Sequence, residues 1–126
     1  MTKIIKNFNS ISKKYDVILC DLWGCLHDGK RKFPNALSAI KKSKDNGTKI
    51  ILLTNSPRTS KFVKKQIDQL GILEDTYHDI ITSGDASLSV VEKKILGNKI
   101  FHIGPKRDLN FFSELKGQNR IQRVEL

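Results

Sequence analysis

The sequence predicts an α/β fold built on a parallel sheet, and three observations carry that reading. Short, continuous apolar runs, Val17-Ile18-Leu19-Cys20 and Ile50-Ile51-Leu52-Leu53, have the form of strands buried on both faces. Segments of helical periodicity separate these runs from one another and from later strand candidates, which implies right-handed crossovers and parallel pairing. Both runs also end in polar residues, Asp21 in one case and Thr54-Asn55-Ser56 in the other. Ligands of such sheets gather beyond the carboxyl ends of the strands. An acid and a hydroxyl-plus-amide pair at neighbouring strand ends describe a phosphate-sized site.

The elements follow in order. Met1 to Tyr15 is basic and free of acids, with Ile4, Ile5, Phe8 and Ile11 at helix-like spacing. That pattern is faintly like an organellar transit peptide, but a short helix docking on the sheet fits it better. The first strand is expected near Asp16 to Leu22. A turn-rich excursion to Phe33 follows, with Asp28-Gly29 as a hairpin-type turn. Pro34 suits the first turn of a helix reaching Asp45 and closed by Asn46-Gly47. Lys49 to Leu53 is the second strand. Ser56-Pro57 reads as N-cap and first residue of a helix whose stripe is Phe62, Val63, Ile67 and Leu70, ending at Gly71. Asp79 to Thr82 is a short strand, and Asp85 to about Leu96 a helix with Leu88, Val91 and Ile95 inward. Lys99 to Ile103 is a further strand, then Gly104-Pro105 and a weaker helix from Leu109 to Leu115. Lys116 to Leu126 carries no clear pattern.

The stretch DVILCDLWGCLHDG followed by KIILLTNSPR resembles the haloacid dehalogenase superfamily of phosphohydrolases. Within it, the sequence looks most like the sub-branch with a large α/β cap, which includes sugar-phosphate and nitrophenyl-phosphate phosphatases. The family's first motif is an apolar strand and then Asp-x-Asp-Gly, here Asp21-Leu22-Trp23-Gly24. Its second is an apolar strand ending in Thr or Ser, here Thr54, with the sub-branch's Asn at Asn55. The resemblance implies a Rossmann-like three-layer parallel sheet, truncated in this chain. Residues 1–82 would be the N-terminal part of the core, and 83–126 the start of an incomplete α/β cap.

The same resemblance implies roles for these residues. Asp21 would be nucleophile and magnesium ligand, Trp23 would lend its backbone carbonyl to the metal, and Thr54, Asn55 and Gly24 would hold the substrate. The chemistry is sound on its own terms. An aspartate can attack phosphorus and form an acyl-phosphate, splitting one hard step into two. Carboxylate and carbonyl oxygens suit Mg2+, which retains water and substrate phosphate in its shell. Read without the family, Asp21 equally ends a strand and Thr54-Asn55 equally begin a turn.

Two departures stand out. The family's second Asp, its general acid and base, is replaced by Trp23. General acid–base help is typically a factor of about 10²–10⁴, and its loss weighs most on poor leaving groups such as sugar alkoxides. His27 and Asp28 are near enough in sequence to substitute, yet both lie past the turn and nothing in the sequence aims them inward. The family also needs a Lys from a third motif and acids from a fourth, and neither motif occurs within the 126 residues. Asp85 and Asp108 follow short turns and read as helix-start residues rather than metal ligands.

Composition narrows the classes. At 126 residues, with 38% hydrophobic and 29% charged, the chain fits one modestly cored globular domain. There is no apolar run of membrane-spanning length and no secretory signal, so membrane partners are not expected. Cys20 and Cys25 lack a metal or redox spacing, which suggests a reducing, cytoplasmic setting. His27, His78 and His102 are scattered. The net charge of +10 is spread as lysine pairs on predicted helix surfaces, with no basic–aromatic alternation for stacking bases. Nucleic acid is therefore not the expected partner. A small phosphorylated substrate is, and an unfinished sheet also suggests a second copy or a partner chain completing it. Three readings result: an impaired phosphohydrolase, a non-catalytic fragment that folds or binds phosphate only, and a basic interaction module.

Overall fold

The computed structural model describes residues 4, 5, 7–97, 99–113, 115 and 120–125. Two compact units share the chain. One takes Met1–Thr54 and Lys64–Ile81, the other Asn55–Val63 and Thr82–Leu126.

The first unit is a three-stranded parallel sheet in the order β1-β2-β3, with β1 at Val17–Asp21, β2 at Lys49–Thr54 and β3 at Asp79–Thr82. Helix α1, Asn9–Ser12, packs on α2, Pro34–Asp45, which in turn packs on β2. The sequence places α2 well. Pro34 stands at its first position and the Asn46 N–H closes it on the Lys42 carbonyl at 3.1 Å. Lys44, in the last turn, reaches across to donate to the carbonyl oxygens of Tyr77 at 2.6 Å and Glu74 at 3.4 Å. His78 extends the β2–β3 pairing. Its N–H donates to the Ile50 carbonyl at 2.8 Å, and its Nδ1 accepts the Ile50 N–H at 2.9 Å. Ile50, Leu52, Ile67 and Ile72 form the closed centre of the core.

Strand β2 is buried from Ile50 to Leu52, as its apolar run predicts, but β1 is not covered on both faces. Val17 and Leu19 are exposed, as are Leu53 and Ile81. β1 stands at the edge of this sheet, and its alternate residues form part of an open apolar face. Among the described residues of the N-terminal stretch, only Asn9–Ser12 is helical and Ile4 lies in solvent, so the helix is shorter there than its periodicity suggests.

Helix α3 (Ser60–Gln69), whose first turn belongs to the second unit and whose remainder belongs to the first, begins three residues later than Ser56-Pro57 predicts. The Ser56 hydroxyl accepts the Arg58 N–H at 3.2 Å, folding 56–58 into a bend. The helix is instead capped from afar, the Asp85 carboxylate accepting the Ser60 N–H at 2.9 and 3.1 Å. A tertiary cap has displaced the local one. Helix α4 spans Ser83–Glu92. It ends before Ile95, which points outward, because Lys94 adopts φ 53° and turns the chain away. Strand β4, Lys99–Gly104, pairs in parallel with β5, Arg120–Glu125. Between them lie a 3-10 turn at Lys106–Leu109 and α5, Asn110–Ser113, where the sequence predicts one weak helix. β5 falls in the stretch that sequence patterning leaves blank.

Candidate active site at the ends of the first two strands

Pairing brings the two sequence motifs side by side. β1 and β2 run in parallel with Val17 opposite Lys49 and Asp21 opposite Leu53. Asp21 therefore ends β1 one residue short of Thr54, the last residue of β2. Their surroundings differ. Asp21 is exposed, in phase with Val17 and Leu19, whereas Thr54 occupies the buried phase of β2. Asn55, exposed, is the first residue of the second unit.

Cys20 precedes Asp21 and faces inward, with Sγ 3.3 Å from the Asp21 carbonyl oxygen as its acceptor. Burial, then the neighbouring Cys25 and Asp21, push this thiol up to about 11, so it is a neutral core group at ordinary pH. Cys25 is exposed.

The loop after Asp21 is tightly built. Leu22 and Leu26 are buried, and the Leu22 carbonyl accepts the Leu26 N–H at 2.8 Å. Gly24 sits at φ 77°, a left-handed conformation that glycine adopts freely, and its N–H donates to the His27 carbonyl at 2.8 Å. That amide is thus engaged in the turn. Isolated bridges join Trp23 to His27 and His27 to Lys32, giving the loop sheet-like order.

His27 and Asp28, the two sequence candidates for replacing the missing acid, both have structural work. His27 is only 3% exposed, and its Nδ1 accepts the Gly29 N–H at 3.0 Å. Burial holds its pKa below the usual histidine range, partly offset by Asp28 and Asp21, so the ring is neutral at pH 7. Asp28 Oδ1 accepts the N–H groups of Arg31 at 2.6 Å and Lys30 at 2.8 Å. Those two bonds hold its carboxyl below the ordinary range, leaving it ionised with no proton to give.

Trp23 fills the place two residues after Asp21. Its indole meets the His27 ring edge-on, with centroids 5.6 Å apart, and lies so close to Gly29 that a Cβ there would overlap it. Even so, 61% of the residue is exposed. Among the described residues no three His, Cys, Asp or Glu side chains gather as a metal site. What this chain offers a cation here is one carboxylate and the adjacent main chain. An open hollow of about 400 Å³, lined by Lys13, Tyr15, Asp16, Asn46, Gly47 and Thr48, lies at the opposite, amino-terminal ends of β1 and β2. It is remote from Asp21 by the length of the strands, and its lining includes none of the residues predicted for the chemistry.

Asp85 belongs to helix-end architecture, as its sequence position predicts. Its own N–H donates to Thr82 Oγ1 at 2.9 Å, and Thr82 Oγ1 donates to its carboxylate at 2.9 Å. Its reach to Ser60 carries no sequence signal, since 25 residues separate the two.

A parallel sheet that ends adjacent strands in a carboxylate and a threonine is a Rossmann-like α/β framework, of a class that gathers its ligands beyond those strand ends. The model of the haloacid dehalogenase-like hydrolases matches residues 18–118, and the chain belongs to that family. A haloacid dehalogenase-like hydrolase from Brucella suis is 34% identical, with a TM-score of 0.82 over 98% of this chain and 45% of its own. A possible sugar phosphatase of the superfamily from Cytophaga hutchinsonii is 20% identical, with a TM-score of 0.66 over 98% of this chain and 43% of its own. A glycerol phosphate phosphatase from Mycobacterium tuberculosis, solved with magnesium, is 20% identical, with a TM-score of 0.58 over 90% of this chain and 33% of its own. The last two likenesses establish the fold. The chain thus spans less than half the length of each. Comparison with curated proteins gives no match.

Proposed function

We propose that this chain carries the front half of a phosphate-monoester hydrolase site, with Asp21 as the nucleophile. The observation behind this reading is the register that sets Asp21 and Thr54 at adjacent carboxyl ends of parallel strands. An Asp21 oxygen attacks phosphorus and the bond from phosphorus to the leaving oxygen breaks, giving an aspartyl-phosphate and an alkoxide or phenoxide, which takes its proton from solvent. Water then cleaves the acyl-phosphate, returning the carboxylate and inorganic phosphate. Thr54 and Asn55 are proposed to hold phosphoryl oxygens, while Gly24, its amide already given to the His27 carbonyl, shapes the turn that follows Asp21. Residues 83–126 are proposed to begin a cap.

Mg2+ suits the oxygen donors of Asp21 and the Trp23 carbonyl, and when bound it would neutralise charge on the phosphate. Two protein oxygens make an incomplete shell. With Trp23 in place of an acid, His27 neutral and Asp28 ionised, the leaving group departs without a proton from these residues. We therefore expect slow turnover by the 126 residues alone, with aryl phosphates ahead of alkyl ones by about 10²-fold or more. Among the described residues no three His, Cys, Asp or Glu side chains gather, which also supports a second reading, phosphate binding without turnover.

The test is release of phosphate from an aryl phosphate in magnesium buffer, with Asp21→Asn as control. Activity present in the native chain and lost in Asp21→Asn supports the proposal. Equal inactivity of the two removes the catalytic reading for this chain.

A further inference from the structure

Trp23 is the chain's single tryptophan. The residue is 61% exposed although its ring is held on two sides, edge-on by His27 and at close approach by Gly29. Both supports belong to the ordered loop that follows the candidate nucleophile. The His27 ring is itself fixed, buried and bonded to the Gly29 N–H. Gly29 lies at φ 87°, so a side chain there would be strained as well as overlapping the indole. The loop therefore positions a flat aromatic surface two residues from Asp21 and leaves most of it uncovered.

We infer that Trp23 is a specificity-determining platform on which the aromatic ring of an aryl phosphate stacks. This rests on the phosphoryl site proposed above and names its substrate class. The short step from residue 21 to residue 23 favours a ring joined through oxygen directly to phosphorus over one at the end of a flexible chain. Offset or edge-on contact with an indole is favourable for any planar ring. An aryl oxygen also leaves phosphorus as a resonance-stabilised phenoxide, matching a site where Trp23, His27 and Asp28 give no proton.

Because the tryptophan emission of this chain reports on Trp23 alone, binding can be read without turnover. The probes are phenylphosphonate, methylphosphonate and inorganic phosphate, titrated into the full chain in magnesium buffer. The expected result is saturable quenching by phenylphosphonate, with binding on the order of tenfold tighter than methylphosphonate. Calorimetry on Trp23→Ala should show that preference reduced to near unity, and Trp23→Phe should keep most of it. Circular dichroism checks that both variants fold. Equal binding of the two phosphonates by the native chain, or an undiminished preference in Trp23→Ala, overturns the platform and leaves the phosphate site standing. If none of the three probes binds, the underlying site fails and the platform with it.

Discussion

A single imidazole shows how burial becomes a measurable pH effect. His27 titrates near pH 6.5 when the chain is unfolded. In the folded loop its surroundings lower that value, burial being the main cause. Protons then bind the unfolded state more tightly, so stability is held above about pH 6.5 and lost as pH falls through the folded value. Asp28 is also lowered, by main-chain donors, but its contribution disappears only below about pH 4, a separate window. The melting temperature should therefore be level from pH 8 to 7 and decline as the pH falls below about 6.5. Asn at position 27 retains an acceptor for Gly29 but cannot titrate, and His27→Asn should flatten the decline. Parallel profiles for the two proteins would show that other groups cause it.

Among the elements, Gly84 supports the most local mechanical prediction. It is the second residue of α4, and its N–H donates to the Ser56 carbonyl at 3.0 Å. A Cβ at this position would overlap the carbonyl oxygens of Arg58 and Pro57, main-chain atoms that cannot swing aside. Gly84→Ala should destabilise the second unit by about 1–3 kcal/mol, the usual cost of overpacking. Thermal or urea melting would measure it, and an unchanged midpoint would contradict the close approach. The same region marks where sequence reading stops. α2 was legible because Pro34, its periodicity and Asn46-Gly47 all act within a few residues of one another. Asp21 and Thr54 were legible because each ends an apolar run. The start of α3 was not, because Asp85 supplies its cap from 25 residues away. β5 was hidden for a related reason. Arg120-Ile121-Gln122-Arg123-Val124-Glu125 has no strand alternation of its own, and its order comes from pairing with β4.

At the scale of the molecule, an open face and a large charge pull in opposite directions. In the first unit Leu19 is 61% exposed, with Val17, Leu53 and Ile81 also open. In the second, Phe101 and Ile103 of β4 are exposed. Fully burying one such aliphatic side chain is worth about 1.5–3 kcal/mol, so these faces favour covering by another surface. Strand β1, at its sheet's edge, adds unpaired main-chain groups. Against association stands the net charge of +10, which makes two copies repel. Salt separates the two effects. Raising ionic strength from about 0.01 to 1 M shortens the screening length from about 30 to 3 Å while leaving apolar attraction intact. Light scattering should then find the mass rising above the 14.3 kDa of one chain as salt is added. Leu19→Lys, which places a charge in the middle of the open face, should hold the protein near the single-chain mass at both salt levels. A mass of one chain throughout for the native protein would mean that the exposed aliphatics drive no self-association. A salt-driven rise unaffected by Leu19→Lys would move the contact away from β1, leaving the Phe101 and Ile103 face of β4 as the next surface to alter.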